Sequence, residues 1–330
     1  MNISVLGKEE VERIKDLVFS YEFNDYRAYR MLKKEKLKGY LFNQISTSLQ
    51  NKSNWALIAE DKKRVIGLAA LNFLPWDTRH FGIKMAKIDY LMAVGDYGKA
   101  FAIKNRLLTC LLQLCKKDKI NHLSCRIDTS DTSGIHALET NNFRLMDTLV
   151  TYVFNRHRHK ILQIKELYRV RKFKGKDLDK LVALAKASFT KNRFHEDSHI
   201  LNTRANNLYA EWVKNYCQGK IDGKVLVVEN KETDGVGFLL YKVNKELAKF
   251  TGYRIIGQGL AAVSPKAKGA YLSLIKATIK DTVSFYDYAE FDALIHNYEV
   301  IRILQKFNFE ITKVTHTFHN WLEISNFHRS

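Results

Sequence analysis

The stretch LAAVSPKAKGAYLSLIKATI, Leu260–Ile279, carries the first residues that could do chemistry. It reads as an apolar strand, a basic loop of small residues and a helix. Such a loop lets backbone N–H groups close on a phosphate at the helix N-terminus. Gly269 permits the tight turn and Ala270 stays small, whereas Tyr271 stands where close approach favours glycine. His195, in NRFHED, is an imidazole that its surroundings could tune to move a proton. Arg193 suits a diphosphate, and Phe194, Tyr209 and Trp212 offer rings to a base, although Tyr209 and Trp212 read equally well as one packed helix face. HEDSH (His195–His199) satisfies H-E-x-x-H. A zinc site of that kind needs a helix and a third ligand, while TKNRF and ILNTR on either side read as loop, so no metal is expected. His316 and His319, three apart on a strand, face opposite sides, so at most one serves a common site.

The elements that must hold these side chains are written twice. ALIAE at Ala56–Glu60 matches VLVVE at Val225–Glu229, and each is followed by a charged turn (DKKR, NKETD) and a second strand (VIGLAAL, GVGFLLY). AVGDYGKAF from Ala93 matches AVSPKAKGA from Ala262 at the same separation of 169. IHALETNNF (Ile135–Phe143) matches IRILQKFNF (Ile301–Phe309), and strand-like tails follow both. Alternating apolar positions mark strands and 3.6-residue spacing marks helices. Each half therefore reads helix, hairpin, strand, helix, strand, helix, strand: a mixed α/β fold with a mostly antiparallel sheet flanked by helices, built in tandem. The basic stretch NRHRHK (Asn155–Lys160) closes the first half, giving domains 1–160 and 161–330.

Composition narrows the partners. The 330 residues are 46% hydrophobic, enough for two packed cores. No apolar run approaches the roughly 20 residues that span a bilayer, and the N-terminus has acids where a signal peptide needs bases. No membrane partner and a cytoplasmic location are expected. The four cysteines form no C-x-x-C pair and read as buried thiols of a reduced compartment. Lys and Arg total 54 against 35 acids, a formal charge of +19, which favours anionic partners. The bases are dispersed and accompany no zinc-finger, RNA-recognition or basic-zipper pattern, so phosphorylated small molecules are expected rather than nucleic acid.

The order strand, basic glycine loop, helix, strand and NYEVIRILQKFNF resembles the GNAT superfamily of acyl-CoA-dependent N-acyltransferases. The family loop, [QR]-x-x-G-x-[GA], corresponds here to Lys266, Ala267, Lys268, Gly269, Ala270 and Tyr271. Its late helix, N-x-x-A-I-x-L-Y-E-K-x-G-F, corresponds to Asn297–Phe309, with Leu304 at the tyrosine and Asn308 at the glycine. A narrower resemblance, to the dTDP-fucosamine N-acetyltransferase group of nucleotide-sugar enzymes, rests on ASFTKNRFHEDSHI, LYAEWVKNYCQGK and THTFHNWL, and on LPWDTRHFGIKMAKI in the first half. This last segment brings in Trp76 and Phe81 as acceptor-side residues.

The resemblance implies coenzyme A held by Lys266–Leu272, a thioester along Leu260–Val263, including Ala262, and Asn297 and Leu304 nearby. It implies an amino sugar on thymidine diphosphate as acceptor, with Asp147 or His195 as base, and bacterial surface-polysaccharide synthesis as the setting. The first repeat, with Ala100 in place of Gly269, is then a degenerate unit that contributes to the acceptor site. Leucine in place of tyrosine suggests room for a donor larger than acetyl, such as 3-hydroxybutyryl-CoA. The same loop would also serve an acetyltransferase for a protein or small amine, or a coenzyme-binding module without catalysis. Two such units in one chain imitate a dimer, so monomer and homodimer are both open.

Overall fold

A computed structural model describes residues 1–51, 53–163, 167–230, 235–282 and 284–322. The charged turn expected at 231–234 lies outside them. The chain divides into two compact units, and the boundary differs from the one read at residue 160. One unit is Met1–Thr148 together with the chain from Lys313; the other is Leu149–Thr312.

The first unit holds β1 (Asn2–Val5), α1 (Lys15–Ser20), α2 (Lys34–Gln50), β2 (Trp55–Asp61), β3 (Arg64–Phe73), α3 (Pro75–Phe81), β4 (Met85–Ala93), α4 (Tyr97–Lys117), β5 (His122–Asp128), α5 (Thr132–Thr140) and the start of β6 (Arg144–Asn155). The second holds the rest of β6, β7 (Val170–Lys172), α6 (Leu178–Ser188), α7 (Asn202–Cys217), β8 (Lys224–Asn230), β9 (Gly235–Val243), α8 (Lys245–Thr251), β10 (Ile255–Val263), α9 (Ala270–Thr282), β11 (Tyr288–Leu294) and α10 (Tyr298–Lys306). The final strand, β12 (Glu310–Trp321), closes the second repeat in sequence. Its residues Thr315–Trp321 nevertheless pair antiparallel with β5, which is why it counts with the first unit. Reading each tail strand into its own half missed this exchange.

In the first unit the strand order is β1-β2-β3-β4-β5-β12, antiparallel apart from β4–β5. The second follows β6-β11-β10-β9-β8-β7, antiparallel apart from β10–β11. The 21-residue α4 owes its place to an apolar stripe, with Leu107, Leu108 and Leu111 fully buried. Each such burial contributes about 1.5–3 kcal/mol. Gly67 lets the helix approach, since a Cβ there would stand 2.4 Å from Ile103 Cγ2. On β9 of the second unit, Gly237 occupies the matching position, where a Cβ would stand 2.9 Å from Val228 Cγ1.

The repeat survives down to single turns. Gly82 ends α3 at φ 67° and Gly252 ends α8 at φ 80°. Asp131 caps α5 by accepting the Gly134 N–H, and Asn297 caps α10 by accepting the Val300 N–H. Asn142 (φ 62°) and Asn308 (φ 59°) both take the left-handed conformation that asparagine tolerates.

Candidate functional site

The parallel pair of the second unit is short. β10 runs beside β11 over Ile255–Gly257 alone, and its later register is with β9, through a bulge between Gln258 and Ala261. The two strands fork, so the β11-side edge of Leu260–Val263 has no β11 register. In an extended strand that edge presents C=O acceptors and backbone N–H groups, the latter being the donors an acyl oxygen needs.

At the end of β10, Ser264 turns the chain. Its N–H donates to Val236 O at 2.8 Å and its Oγ accepts the Val236 N–H at 3.0 Å. A single turn over Pro265–Ala267 comes next, with Ala267 buried and Lys266 and Lys268 exposed. Gly269 sits at φ 85°, and a Cβ there would stand 3.3 Å from Leu167 Cδ1. The left-handed backbone favours glycine, and a side chain here would also press on the exposed Leu167. α9 begins at the next residue, so its first-turn N–H groups, its positive dipole end and two lysines converge at one loop. That donor set fits a pyrophosphate. Tyr271 is buried, so its ring does not stand exposed at the loop mouth. A residue that sequence reading missed braces the loop: Tyr168 Oη donates to Lys268 O at 3.1 Å.

The corresponding place in the first unit is built differently. There α4 starts four residues earlier in the repeat, so Ala100 lies inside the helix and no glycine turn exists at that position. Asp96, at the position of Pro265, caps α4 by accepting the Lys99 N–H at 3.0 Å. A carboxylate already occupies the place where a phosphate would bind, and its charge opposes a second anion.

The late-helix motif is structural in part. Asn297 is an exposed N-cap. Leu304 has no exposed surface, and its carbonyl accepts the Phe309 N–H at 3.1 Å. With its side chain enclosed by protein, Leu304 does not provide the extra room expected for a larger acyl group. Leu138, its counterpart in the first unit, is equally buried and bonds Phe143 in the same way.

The remaining candidates divide by burial. Phe81 is fully buried, so a ligand cannot touch it, and its assignment to an acceptor site is corrected to packing within the first unit. Trp76 is half-buried and stacks on His80 at 5.5 Å between ring centroids. Phe194 is buried beneath the Arg193 guanidinium, 4.4 Å away, and the buried Tyr209 stacks on Phe189 at 4.7 Å. Asp147 is buried rather than facing water. Its neighbour Thr148 bonds His316 Nδ1 through Oγ1 at 2.9 Å, and burial lowers the His316 pKa.

His195 lies in a series of turns, so H-E-x-x-H is not helical here. Its Nε2 is 2.7 Å from Asn206 Oδ1, and an amide oxygen accepts only. The N–H is therefore on Nε2, leaving the Nδ1 lone pair buried and unbonded among the described residues. That is the form of a base. The sequence hides Asn206, because it reads as one more polar residue on α7.

A mixed sheet whose parallel pair forks before a helix, written twice in one chain, defines the tandem GNAT fold. The chain aligns over 98% of its length with all of a tandem GNAT protein from the clavulanic acid biosynthesis pathway, at a TM-score of 0.54 and 12% identity. A GCN5-related N-acetyltransferase from Sphaerobacter thermophilus aligns with 98% of the chain over 96% of its own, at a TM-score of 0.62 and 10% identity. For a putative acetyltransferase from Pyrococcus horikoshii the figures are 98%, 90%, 0.52 and 16%. In sequence, 148 residues are 23% identical to the spore coat polysaccharide biosynthesis protein SpsD of Bacillus subtilis (strain 168), covering 44% of this chain and 48% of that protein. The chain thus matches about half the length of this curated relative. No family model matches. No helix among the described residues is long and apolar enough to cross a membrane.

Proposed function

We propose that the chain is an acyl-CoA-dependent N-acyltransferase whose coenzyme lies at the second unit and whose acceptor is an amino sugar on a nucleoside diphosphate, of the dTDP-amino-dideoxyhexose type. The observation that carries this reading is the continuous path in the second unit. Forked β10 leads to Gly269 in a left-handed turn, and the turn opens directly onto α9. The path fits a thioester along the strand and a pyrophosphate at the helix. Polysaccharide synthesis rests on the sequence resemblance and on the name of the partial relative.

In this reading the neutral acceptor amine attacks the thioester carbonyl. The N–C bond forms, the C–S bond breaks, and the ammonium proton passes to a base. His195 Nδ1 and Asp147 are the two candidates. The leaving thiolate is tolerable near neutral pH, since a free thiol has a pKa of about 8.5. A phenol at the Leu304 position is therefore not essential, and a short acyl donor, acetyl or 3-hydroxybutyryl, remains in the proposal without a size preference.

The test is thiol release from acetyl-CoA and 3-hydroxybutyryl-CoA with a panel of dTDP-3-amino and dTDP-4-amino sugars. Amine-dependent release with a member of the panel supports the reading. Release with peptides or simple amines instead would replace the acceptor, and coenzyme binding without turnover would leave a binding module.

A further inference from the structure

A cavity of about 260 Å³ lies within the first unit, in the fork between β4 and β5. The parallel register covers Met85–Ile88 and His122–Cys125, and the next residues of each strand wall the cavity: Asp89–Leu91 on one side and Arg126–Asp128 on the other. The segment Tyr21–Tyr26 and the helix α2 complete its lining.

We propose that this fork binds a small, neutral, polyhydroxylated ring, of the monosaccharide class, as a site separate from the coenzyme loop. Coenzyme A is opposed by the Asp96 cap and by the early start of α4 at Tyr97, which places Ala100 inside the helix. A polyanion is opposed by the wall itself, where Asp25, Asp89 and Asp128 face inward. Each acid is already neutralised: Asp25 by Lys313 at 3.1 Å, Asp89 by Lys87 at 2.7 Å and Asp128 by Arg27 at 2.9 Å. With Arg126, the lining itself holds three acids (Asp25, Asp89, Asp128) and three bases (Lys87, Arg126, Lys313), a formal balance that favours neither a cation nor an anion while presenting fixed acceptors and donors, which suits hydroxyl groups.

Two further observations agree. Tyr21, Tyr26, Tyr40 and Tyr90 line the cavity and provide flat apolar faces with hydroxyl tips. Burial raises the pKa of Tyr21 and of Tyr90, so both phenols stay protonated and can donate. The Thr315 hydroxyl, on a residue only 5% exposed, has no partner among the described residues, although buried hydroxyls are normally bonded. An apolar ligand would leave that hydroxyl unsatisfied, whereas a polyol can bond it.

The experiment is saturation-transfer NMR on the full chain, without acyl-CoA, using D-glucose, D-galactose and N-acetyl-D-glucosamine as probes. The proposal does not depend on acyl transfer, so a chain that binds sugar but turns nothing over still supports it. Ring-proton enhancement is expected for at least one probe and should persist when coenzyme A is added. Gln44 of α2 also lines the cavity and donates to Tyr40 Oη at 2.8 Å; Gln44→Leu and Thr315→Val should each weaken binding about fivefold, the effect of one lost hydrogen bond. Gly269→Val should leave it unchanged. Absence of enhancement with all three probes overturns the proposal, as does displacement by coenzyme A. Parent-like binding by both cavity variants, each first shown to melt as the parent does, also overturns it.

Discussion

The backbone N–H of Phe309 donates to the carbonyl of Leu304 at 3.1 Å, closing the end of α10 around Asn308 at φ 59°. This six-residue closure needs one left-handed residue, and glycine takes that conformation at least cost. Asn308→Gly should be neutral or slightly stabilising, whereas Asn308→Ala should cost about 1 kcal/mol. Urea unfolding of both variants checks the order; equal stability would show that the turn carries no strain.

Gly269 and Ala100 occupy corresponding repeat positions but different backbones. Gly269→Val forces a branched side chain into φ 85° beside Leu167, so coenzyme affinity should fall at least tenfold by calorimetry. Ala100→Val adds bulk at a buried position of α4 and should cost about 1–3 kcal/mol of stability while leaving coenzyme affinity alone. Loss of coenzyme affinity in the Ala100 variant would move the site to the first unit.

The proton acceptor can be separated by kinetics. If His195 Nδ1 is the base, His195→Gln should lower kcat roughly 10²–10⁴-fold with little change in coenzyme affinity, and Asn206→Leu should reproduce part of the loss by freeing the ring. If Asp147 is the base, Asp147→Asn should show the large loss and the His195 variants should not. Undiminished kcat in both series would remove both residues from the chemistry.

Lys104 forms a buried ion pair that sequence reading passed over, because one lysine within an apolar helical stripe carries no signal of its partner. Its Nζ donates to Asp131 at 2.5 and 2.6 Å and to Ser133 Oγ at 3.0 Å, with both charged side chains 1% exposed. Lys104→Met strands the carboxylate and should cost about 3–5 kcal/mol; Lys104→Met with Asp131→Asn should recover much of that. A double variant no more stable than the single one would show that the charge pair is not what matters.

Burial lowers the His316 pKa below the ordinary value of 6.5 in the folded chain. Between those two values the unfolded chain binds the extra proton and the folded chain does not, so stability falls as pH drops below about 6.5. Replacing His316 with asparagine should flatten this part of the stability–pH curve in thermal melts from pH 7 to pH 5. An unchanged slope would assign the acid sensitivity to other groups.

The sequence by itself determined the features that depend on neighbours along the chain. The two repeats, their helix stripes and caps, the strand alternation and the need for a residue tolerant of left-handed backbone at 269 and 308 are all written locally. Tertiary structure alone decided which strand closes which sheet, since β12 pairs with a strand nearly two hundred residues earlier and pairing energy does not register chain order. It also decided that Phe81 and Leu304 are core, because apolar residues carry the same pattern whether they face protein or ligand. The partners of His195, Lys104 and Lys268 became visible only in three dimensions, where Asn206, Asp131 and Tyr168 are brought to hydrogen-bond distance across separations that no local spacing encodes.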